Sequence, residues 1–407
     1  MRTRSDILHS MIKLLARDKQ ELWVIIALIL VTLSISTPVY AQQVKVMQND
    51  YSAHFQFTLS LLSRHFDAVP LAVYAHPLYQ IFLISLYFLT FRKIGLFGLA
   101  LIVQIVLQIV MALIIYVWLG GLLKRNWNWA RAVLAVSLLL VAPIMLFVFW
   151  DKLWYLGYIG LENFHNPTIM LLRPVAFASF ICALRIFSSK HNSWKFVLLA
   201  AVLMIFSELV KPNYALCILP AVGLLTVQYL GWRKPIDWRL LIFGFFLPGG
   251  VVLLGQWLMT YSMPGGTGDK IVIDFLGVMK GYSSYLLPKL LLSLLFPLTV
   301  FVLNFRKAIR DNNLLLAWFG LLAGLVQMYC LAEVGDRFSD GNFLWGAQVM
   351  LFIVFVASVR FLWHEKIATG LSFRWKELFT YTFYAVHLFA GMAYYVYAII
   401  VTTKSPF

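Results

Sequence analysis

The stretch LWVIIALILVTLSISTPVYA, residues 22–41, decides the fold class of this chain. It runs for about twenty residues without an acidic or basic side chain, the length that an α-helix needs to cross the hydrocarbon core of a bilayer. The charged segment 1–21 precedes it. Its ending, VYA, resembles a signal-peptidase site, but the apolar run is long for a signal peptide. We therefore predict an uncleaved first membrane span.

The same pattern recurs along the chain. Of its 407 residues, 62% are hydrophobic and only 12% are charged, which is about half the charged fraction of a soluble domain. We predict an all-α fold: a polytopic transmembrane helical bundle that forms a single transmembrane domain over residues 1–407. About eleven spans are expected, with boundaries near 22–41, 94–118, 131–149, 170–187, 195–210, 214–230, 239–259, 289–304, 314–333, 343–362 and 378–401.

The basic residues predict the orientation. Most of the 33 lysines and arginines lie in short segments on one side of alternate apolar runs, and such residues accumulate in cytoplasmic loops. The segment 1–21 is then cytoplasmic, and the loops 42–77 and 260–288 are external. Amphipathic helices are expected in the first external loop, because residues 55–75 can lie on the membrane surface. Residues 78–91 are too few to cross, so they are predicted to form an interfacial or partly inserted helix.

The net charge of +16 is explained by these loops. The chain has no compact basic domain, so nucleic acid is not an expected partner, whereas membrane lipids are. Cys182, Cys217 and Cys330 lie within or at the ends of apolar segments, without metal spacing. They are expected to be small core residues, with no disulfide framework.

The external loops hold most of the unusual polar side chains. VMQNDYSAHFQF, residues 46–57, places Asp50 at the membrane face and His54 one helical turn later. Asp50 is either a catalytic base or a solvated loop acid, and His54 is either part of a metal or hydrogen-bonded pair or a satisfied loop histidine. VYAHPLYQ, residues 73–80, sets His76 before a proline that marks a helix start. A helix N-terminus can bind an anion.

Asp151 to Pro174, DKLWYLGYIGLENFHNPTIMLLRP, is the second polar external stretch. Its candidates for a site are Glu162, His165, Asn166 and Arg173. A bare charge in the first turn of a membrane span is unfavourable, so such an arginine usually pairs with an acid or meets a ligand.

Two later stretches carry isolated cations. FSELVKPNYAL, residues 206–216, interrupts an apolar run, and Lys211 there can meet a phosphate or pair with Glu208. AEVGDRFSDGNFLWG, residues 332–346, contains Arg337 and Asn342. Arg337 can bind a phosphate with two parallel hydrogen bonds, or it can belong to a salt-bridged turn.

The order of these motifs resembles the GT-C superfamily of integral membrane glycosyltransferases. QNDYSAH, residues 48–54, matches the acidic residue that the family carries in its first external loop, and AHPLYQ, residues 75–80, matches a helix-starting segment. The likeness spans most of the chain by motif order. Three further stretches resemble a bacterial subset: LENFHNPTIMLLRP, LVKPNYAL and GDRFSDGNFLWG.

The resemblance implies sugar transfer from a polyprenyl-phosphate donor to a glycan or a lipid-linked acceptor, at the external face of a bacterial cytoplasmic membrane, with inversion of the anomeric carbon. Asp50 would deprotonate the acceptor hydroxyl as a general base. Lys211 and Arg337 would bind the donor phosphate, and Glu162 and His165 would line the acceptor site or a metal site. The other expected substrate-binding residues are His54, His76, Asn166, Arg173 and Asn342.

Several points stay open in the sequence. Many family members have paired acids where this chain has Asn49 and Asp50, so metal dependence is undecided; a divalent cation on Asp50, Glu162 and His165 is one alternative. A transporter or lipid flippase is a second class, favoured by the break at 208–213 but not by any internal repeat. A polysaccharide polymerase or ligase is a third class, which typically relies on external arginines.

Overall fold

The computed structural model describes residues 19–46, 49–120, 128–189, 191–262, 270–335, 337–369 and 375–400. Within these ranges the chain is almost wholly helical, with two short strands, which confirms the all-α bundle. The first half contains α1 (Lys19–Lys45), α2 (Asp50–Leu62), α3 (Leu71–Ala75), α4 (Leu78–Leu89), α5 (Leu96–Gly120), α6 (Asn128–Leu138), α7 (Val148–Asp151), α8 (Pro167–Ala183), α9 (Trp194–Val210) and α10 (Asn213–Gly231).

The second half begins with a long helix that includes two π-helical turns. Its elements are α11 (Trp238–Ser262), β1 (Ile271–Ile273), α12 (Gly277–Tyr282), α13 (Leu286–Leu303), α14 (Phe305–Ala308), α15 (Asn312–Cys330), β2 (Leu331–Glu333), α16 (Leu344–Thr369) and α17 (Trp375–Ile400). The two strands pair antiparallel, with Ile271 opposite Glu333. This pairing ties the segment after α11 to the segment between α15 and α16.

Among the described residues, nine helices are long and apolar enough to cross a membrane: α1, α5, α8, α10, α11, α13, α15, α16 and α17. They are consistent with a multi-pass integral membrane protein, but the predicted count of about eleven is not confirmed. The predicted span at 195–210 lies in α9, which has 17 residues. The run at 78–91 forms α4, whose 12 residues are too few to span a bilayer.

The predicted span at 131–149 is not one helix. Helix α6 ends at Leu138, five residues before Pro143, and residues 139–147 are not helical. Proline has no backbone N–H and clashes with the preceding helical turn. Non-helical backbone inside a membrane protein needs partners from neighbouring helices. Here the N–H of Ala142 donates to the carbonyl of His387 at 3.2 Å, and the carbonyl of Ala142 lies 2.7 Å from Nδ1 of the same histidine.

Helix α16 occupies the centre of the bundle, with nearly all of residues 344–361 buried. Helix α15 packs closely against it, because Gly324 has no side chain: a Cβ there would lie 2.7 Å from the backbone nitrogen of Ala347. Small residues permit such close backbone approach between membrane helices. The contact fixes the short connection between α15 and α16 in space. Three cysteines are free, as the sequence predicted: Cys182, Cys217 and Cys330.

Charged groups gather at two opposite ends of the bundle. At one end, Glu21 near the start of α1 lies 3.4 Å from Arg131 of α6 and accepts a hydrogen bond from Tyr116, in the last turns of α5. At the other end, the last turn of α1 meets the last turn of α17, where Gln43 donates to the carbonyl of Ala398 at 3.0 Å. The polar loops that the sequence analysis singled out lie at this second end.

Candidate functional site

Two asparagines that cap helices set the position of Asp50. Asn49 caps α2, and its side chain accepts a hydrogen bond from the N–H of Tyr51 at 3.0 Å. Asn166 caps α8 in the same manner, accepting from the N–H of Ile169 at 3.0 Å. Its amide nitrogen donates to Oδ2 of Asp50 at 2.5 Å. Asparagine is a preferred N-cap residue, so local helix signals bring two distant loops together and orient the carboxylate.

Lys211 is the first residue after α9, where Pro212 prevents the helix from continuing. Its ammonium lies 4.5 Å from the centre of the Trp345 ring. Burial lowers the pKa of Lys211 to about 8, while the charge of Asp50 raises it. Within the described part of the chain this ammonium has no carboxylate partner, so the alternative Glu208–Lys211 pair is not formed.

A cavity of about 560 Å³ adjoins Lys211. Leu254 and Trp257 of α11 belong to its wall, and both are about half exposed at the outside of the bundle. The cavity therefore extends from the polar end toward the surface that would face lipid. Its polar lining includes His76, Lys211, Asn213, Gln256, Tyr261, Gln327, Glu333, Arg337 and Asn342.

Three histidines lie near enough to feel the charge of the Lys211 ammonium. His54 does not pair with Asp50, because its Nδ1 lies 2.8 Å from the side-chain nitrogen of Gln80. Burial, with the charge of Lys211 as the second cause, lowers the pKa of His54 to about 3 and that of His76 to about 4. Burial also lowers the pKa of His165, although Asp50 opposes this shift. All three imidazoles are therefore neutral at pH 7.

Arg337 belongs to the salt-bridged turn that the sequence analysis left as an alternative. Its guanidinium lies 3.2 Å from Oε1 of Glu333 and 3.8 Å from Oδ2 of Asp340. Glu333 is buried and also accepts hydrogen bonds from Tyr261 and Asn342, each at 2.5 Å. Glu333 was not among the predicted site residues, although it belongs to the same polar stretch as Arg337. Its acidic character at the end of an apolar run is the signal that could have marked it.

Glu162 and Arg173 are placed apart from the cavity. Both are almost completely buried, and their charged groups lie 3.7 Å from each other. The guanidinium of Arg173 also lies 3.9 Å from the centre of the Phe352 ring. Burial raises the pKa of Glu162 to about 8, and Arg173 opposes this shift. The two side chains pair with each other, and neither lines the cavity. Their contact with a substrate stays a prediction.

The alternative metal site is not assembled. Over the residues that the structure describes, no group of three or more His, Cys, Asp or Glu side chains is arranged to hold a metal ion. Asp50 is bound to Asn166, and Glu162 is paired with Arg173. The set of Asp50, Glu162 and His165 does not fit a divalent cation, and no step below depends on one.

The fold and the site thus define a helical, membrane-type protein with a polar cavity at one end of its bundle. Comparisons with protein-family models, with known proteins and with solved structures give no match to this chain.

Proposed function

We propose that the protein is a membrane glycosyltransferase that moves a sugar from a polyprenyl-phosphate donor to a glycan or lipid-linked acceptor. The observation that carries this proposal is the juxtaposition of Asp50 and Lys211. One is an oriented carboxylate, and the other is a cation without an acidic partner among the described residues, close enough for Asp50 to raise its pKa. A general base and a phosphate-binding cation are the two groups that such a transfer requires.

The cavity suits a lipid-linked anion. Its apolar wall at Leu254 and Trp257 adjoins the outside of the bundle, whereas its other wall carries Lys211. A polyprenyl phosphate cannot leave the bilayer, so its enzyme has to bring catalytic groups to the interface. The phosphate is itself the leaving group, so neither a P-loop nor a GxGxxG motif is required, and the sequence contains neither.

In the proposed reaction, Asp50 takes the proton of the acceptor hydroxyl while that oxygen attacks the anomeric carbon. Asn166 keeps the carboxylate oriented through its 2.5 Å hydrogen bond. The bond from the sugar to the phosphate breaks, and the ammonium of Lys211 stabilises the charge that develops on the leaving phosphate. His76 and Asn342, which line the cavity, would contact the substrate as neutral hydrogen-bonding groups.

We also propose that the site end of the bundle is external in a bacterial cytoplasmic membrane. The positively charged loops of the sequence support this orientation. A lipid flippase is the second candidate, because the break between α9 and α10 at Lys211 and Pro212 borders the cavity. A polymerase or ligase is less well supported, since Arg173 and Arg337 are both paired with carboxylates.

The test uses the purified full-length protein in liposomes that contain a polyprenyl phosphate carrying a radiolabelled sugar. A glycosyltransferase should release free polyprenyl phosphate and transfer the label to an added acceptor, such as a lipid A precursor or a purified envelope glycan. A flippase should leave the sugar–phosphate bond intact and change only the leaflet in which the labelled lipid resides. Movement of intact lipid without bond cleavage would overturn the proposal.

Donor binding should depend on pH through Lys211. The ammonium is charged below its pKa of about 8, so affinity should be constant at lower pH and fall about tenfold per pH unit above it. K211R should extend the plateau to higher pH, because arginine stays charged. K211A should bind the donor with roughly 10- to 100-fold lower affinity than the wild type at neutral pH.

Equilibrium binding of the labelled donor measures this dependence. K280A removes an exposed lysine of α12 and serves as the control, which should behave like the wild type. A K211R profile that falls at the same pH as the wild type would contradict the assignment of the phosphate to Lys211.

A further inference from the structure

Glu208 is a buried acid that the proposed reaction does not use. It lies in the last turn of α9 with no exposed surface, and neither carboxyl oxygen has a hydrogen-bond partner among the described residues. A Cβ at Gly249 of α11 would lie 3.0 Å from Oε1 of Glu208 and equally close to the side chains of Met204 and Leu219. The carboxyl group is therefore enclosed by apolar groups and a glycine.

Among the described residues, no charged group on a neighbouring helix pairs with this acid. Helix α9 packs against α4, α8, α10 and α11. Burial is the only influence on the Glu208 carboxyl that the structure shows. An unpaired carboxylate in such surroundings is strongly unfavourable, so the group holds a proton. The titratable residues on those helices are Tyr79 and Tyr87 on α4, Arg173 and Cys182 on α8, Tyr214, Cys217 and Tyr229 on α10, and Arg239 and Tyr261 on α11.

The backbone of Glu208 nevertheless contacts a residue that lines the cavity near Lys211. Gln256, which lines that cavity, donates hydrogen bonds of 2.8 Å to the backbone carbonyls of Glu208 and of Ala75. Lys211 follows Glu208 by three residues, directly after the end of α9. Among the described residues, Lys211 is the nearest cation along the chain, and no carboxylate holds it.

We propose that Glu208 is a proton-binding site coupled to the anion site at Lys211. While Glu208 holds its proton, it stays in the apolar pocket against Gly249, and the ammonium of Lys211 is available to an anionic ligand. When the proton leaves to water, the carboxylate turns to Lys211 and competes with that ligand. Binding of the anion is then linked to uptake of a proton by Glu208.

The inference rests on the phosphate site of the proposed function, and its test requires binding alone, without sugar transfer. The probe is farnesyl phosphate, titrated into the purified full-length protein in detergent between pH 6 and pH 10.5. K211R is the background, because arginine does not titrate in this range. In K211R, affinity should stay constant to a higher pH than in the wild type and then fall as Glu208 loses its proton, with a limiting slope of about tenfold per pH unit. In the double variant E208Q/K211R, affinity should not change with pH, except for the effect of the second ionisation of the phosphate itself. That effect is the same in K211R and in the double variant.

A calorimetric titration at pH 9 in Tris and in borate gives an independent measure, the number of protons taken up on binding. The wild type should take up more protons than E208Q. The coupling would be overturned if K211R and E208Q/K211R had the same pH profile and if the wild type and E208Q took up the same number of protons. Such a result would not bear on the proposed sugar transfer, which has its own assay. Absence of farnesyl phosphate binding by the wild type would overturn the anion site as well. Loss of binding in E208Q would also refute the coupling, because a neutral amide should leave the ammonium free.

Discussion

D50N should reduce sugar transfer by about 10²- to 10⁴-fold, the usual contribution of a general base. The amide has nearly the same shape as the carboxylate but cannot take a proton from the acceptor hydroxyl. Its oxygen can still accept the hydrogen bond that Asn166 donates, so the start of α2 should keep its position. The loss should therefore appear in the rate of transfer, and binding of farnesyl phosphate should change little.

Transfer of label from the polyprenyl-phosphate sugar in liposomes measures this loss. D67N is the matched control, because Asp67 is an exposed acid of the same loop region; its activity should equal that of the wild type. N166A removes the hydrogen bond to Asp50 but leaves the base. Its transfer activity should therefore lie between those of D67N and D50N. Full activity of D50N would refute the proposed role of Asp50 as the base.

G391A should destabilise the fold by about 3 kcal/mol, in the upper range for overpacking a tight core. The glycine lies on α17, opposite the non-helical segment that follows α6. A Cβ there would overlap the carbonyl oxygen of Leu140 and lie 2.9 Å from the backbone nitrogen of Ala142. These atoms belong to the backbone, so no side-chain rotation can relieve the overlap. The segment would have to move and lose its hydrogen bonds to His387.

The melting temperature of the purified protein in detergent measures this effect. G255A is the control: it changes a glycine within α11 that has open space around it, and it should melt like the wild type or slightly higher. A melting temperature of G391A equal to that of G255A would show that residues 139–142 do not pack against α17 as described.

Hydrophobicity alone could not predict how residues 131–149 cross the bundle. Their composition fits a span, and Pro143 marks only a possible break. The backbone groups that the break frees are satisfied by His387 and by the carbonyl of Leu292, far along the chain. Such partners exist only once α13 and α17 have packed beside the segment. The sequence pattern therefore predicted one more regular helix than the structure contains at this position.

The same limit applies to the charged residues. Asp50 could be selected as a candidate because it lies in a polar cluster just after the first apolar run. Lys211 could be selected because it interrupts an apolar run, where an ionisable group is unfavourable. The partner of each group was not predictable. Glu162 and Arg173 look like ligand contacts in the sequence but pair with each other at 3.7 Å, whereas Glu333 was overlooked and lines the cavity.

The sequence by itself determined that this is a bundle of apolar helices with its rare charges in the connections, because the length and composition of each segment are local properties. Only the tertiary structure decided which charges are neutralised and which are left facing a cavity. Neutralisation depends on a distance of a few ångströms between residues that are far apart in the chain. Among the described residues, Lys211 has no carboxylate partner and feels the charge of the oriented Asp50, and both features are products of that packing.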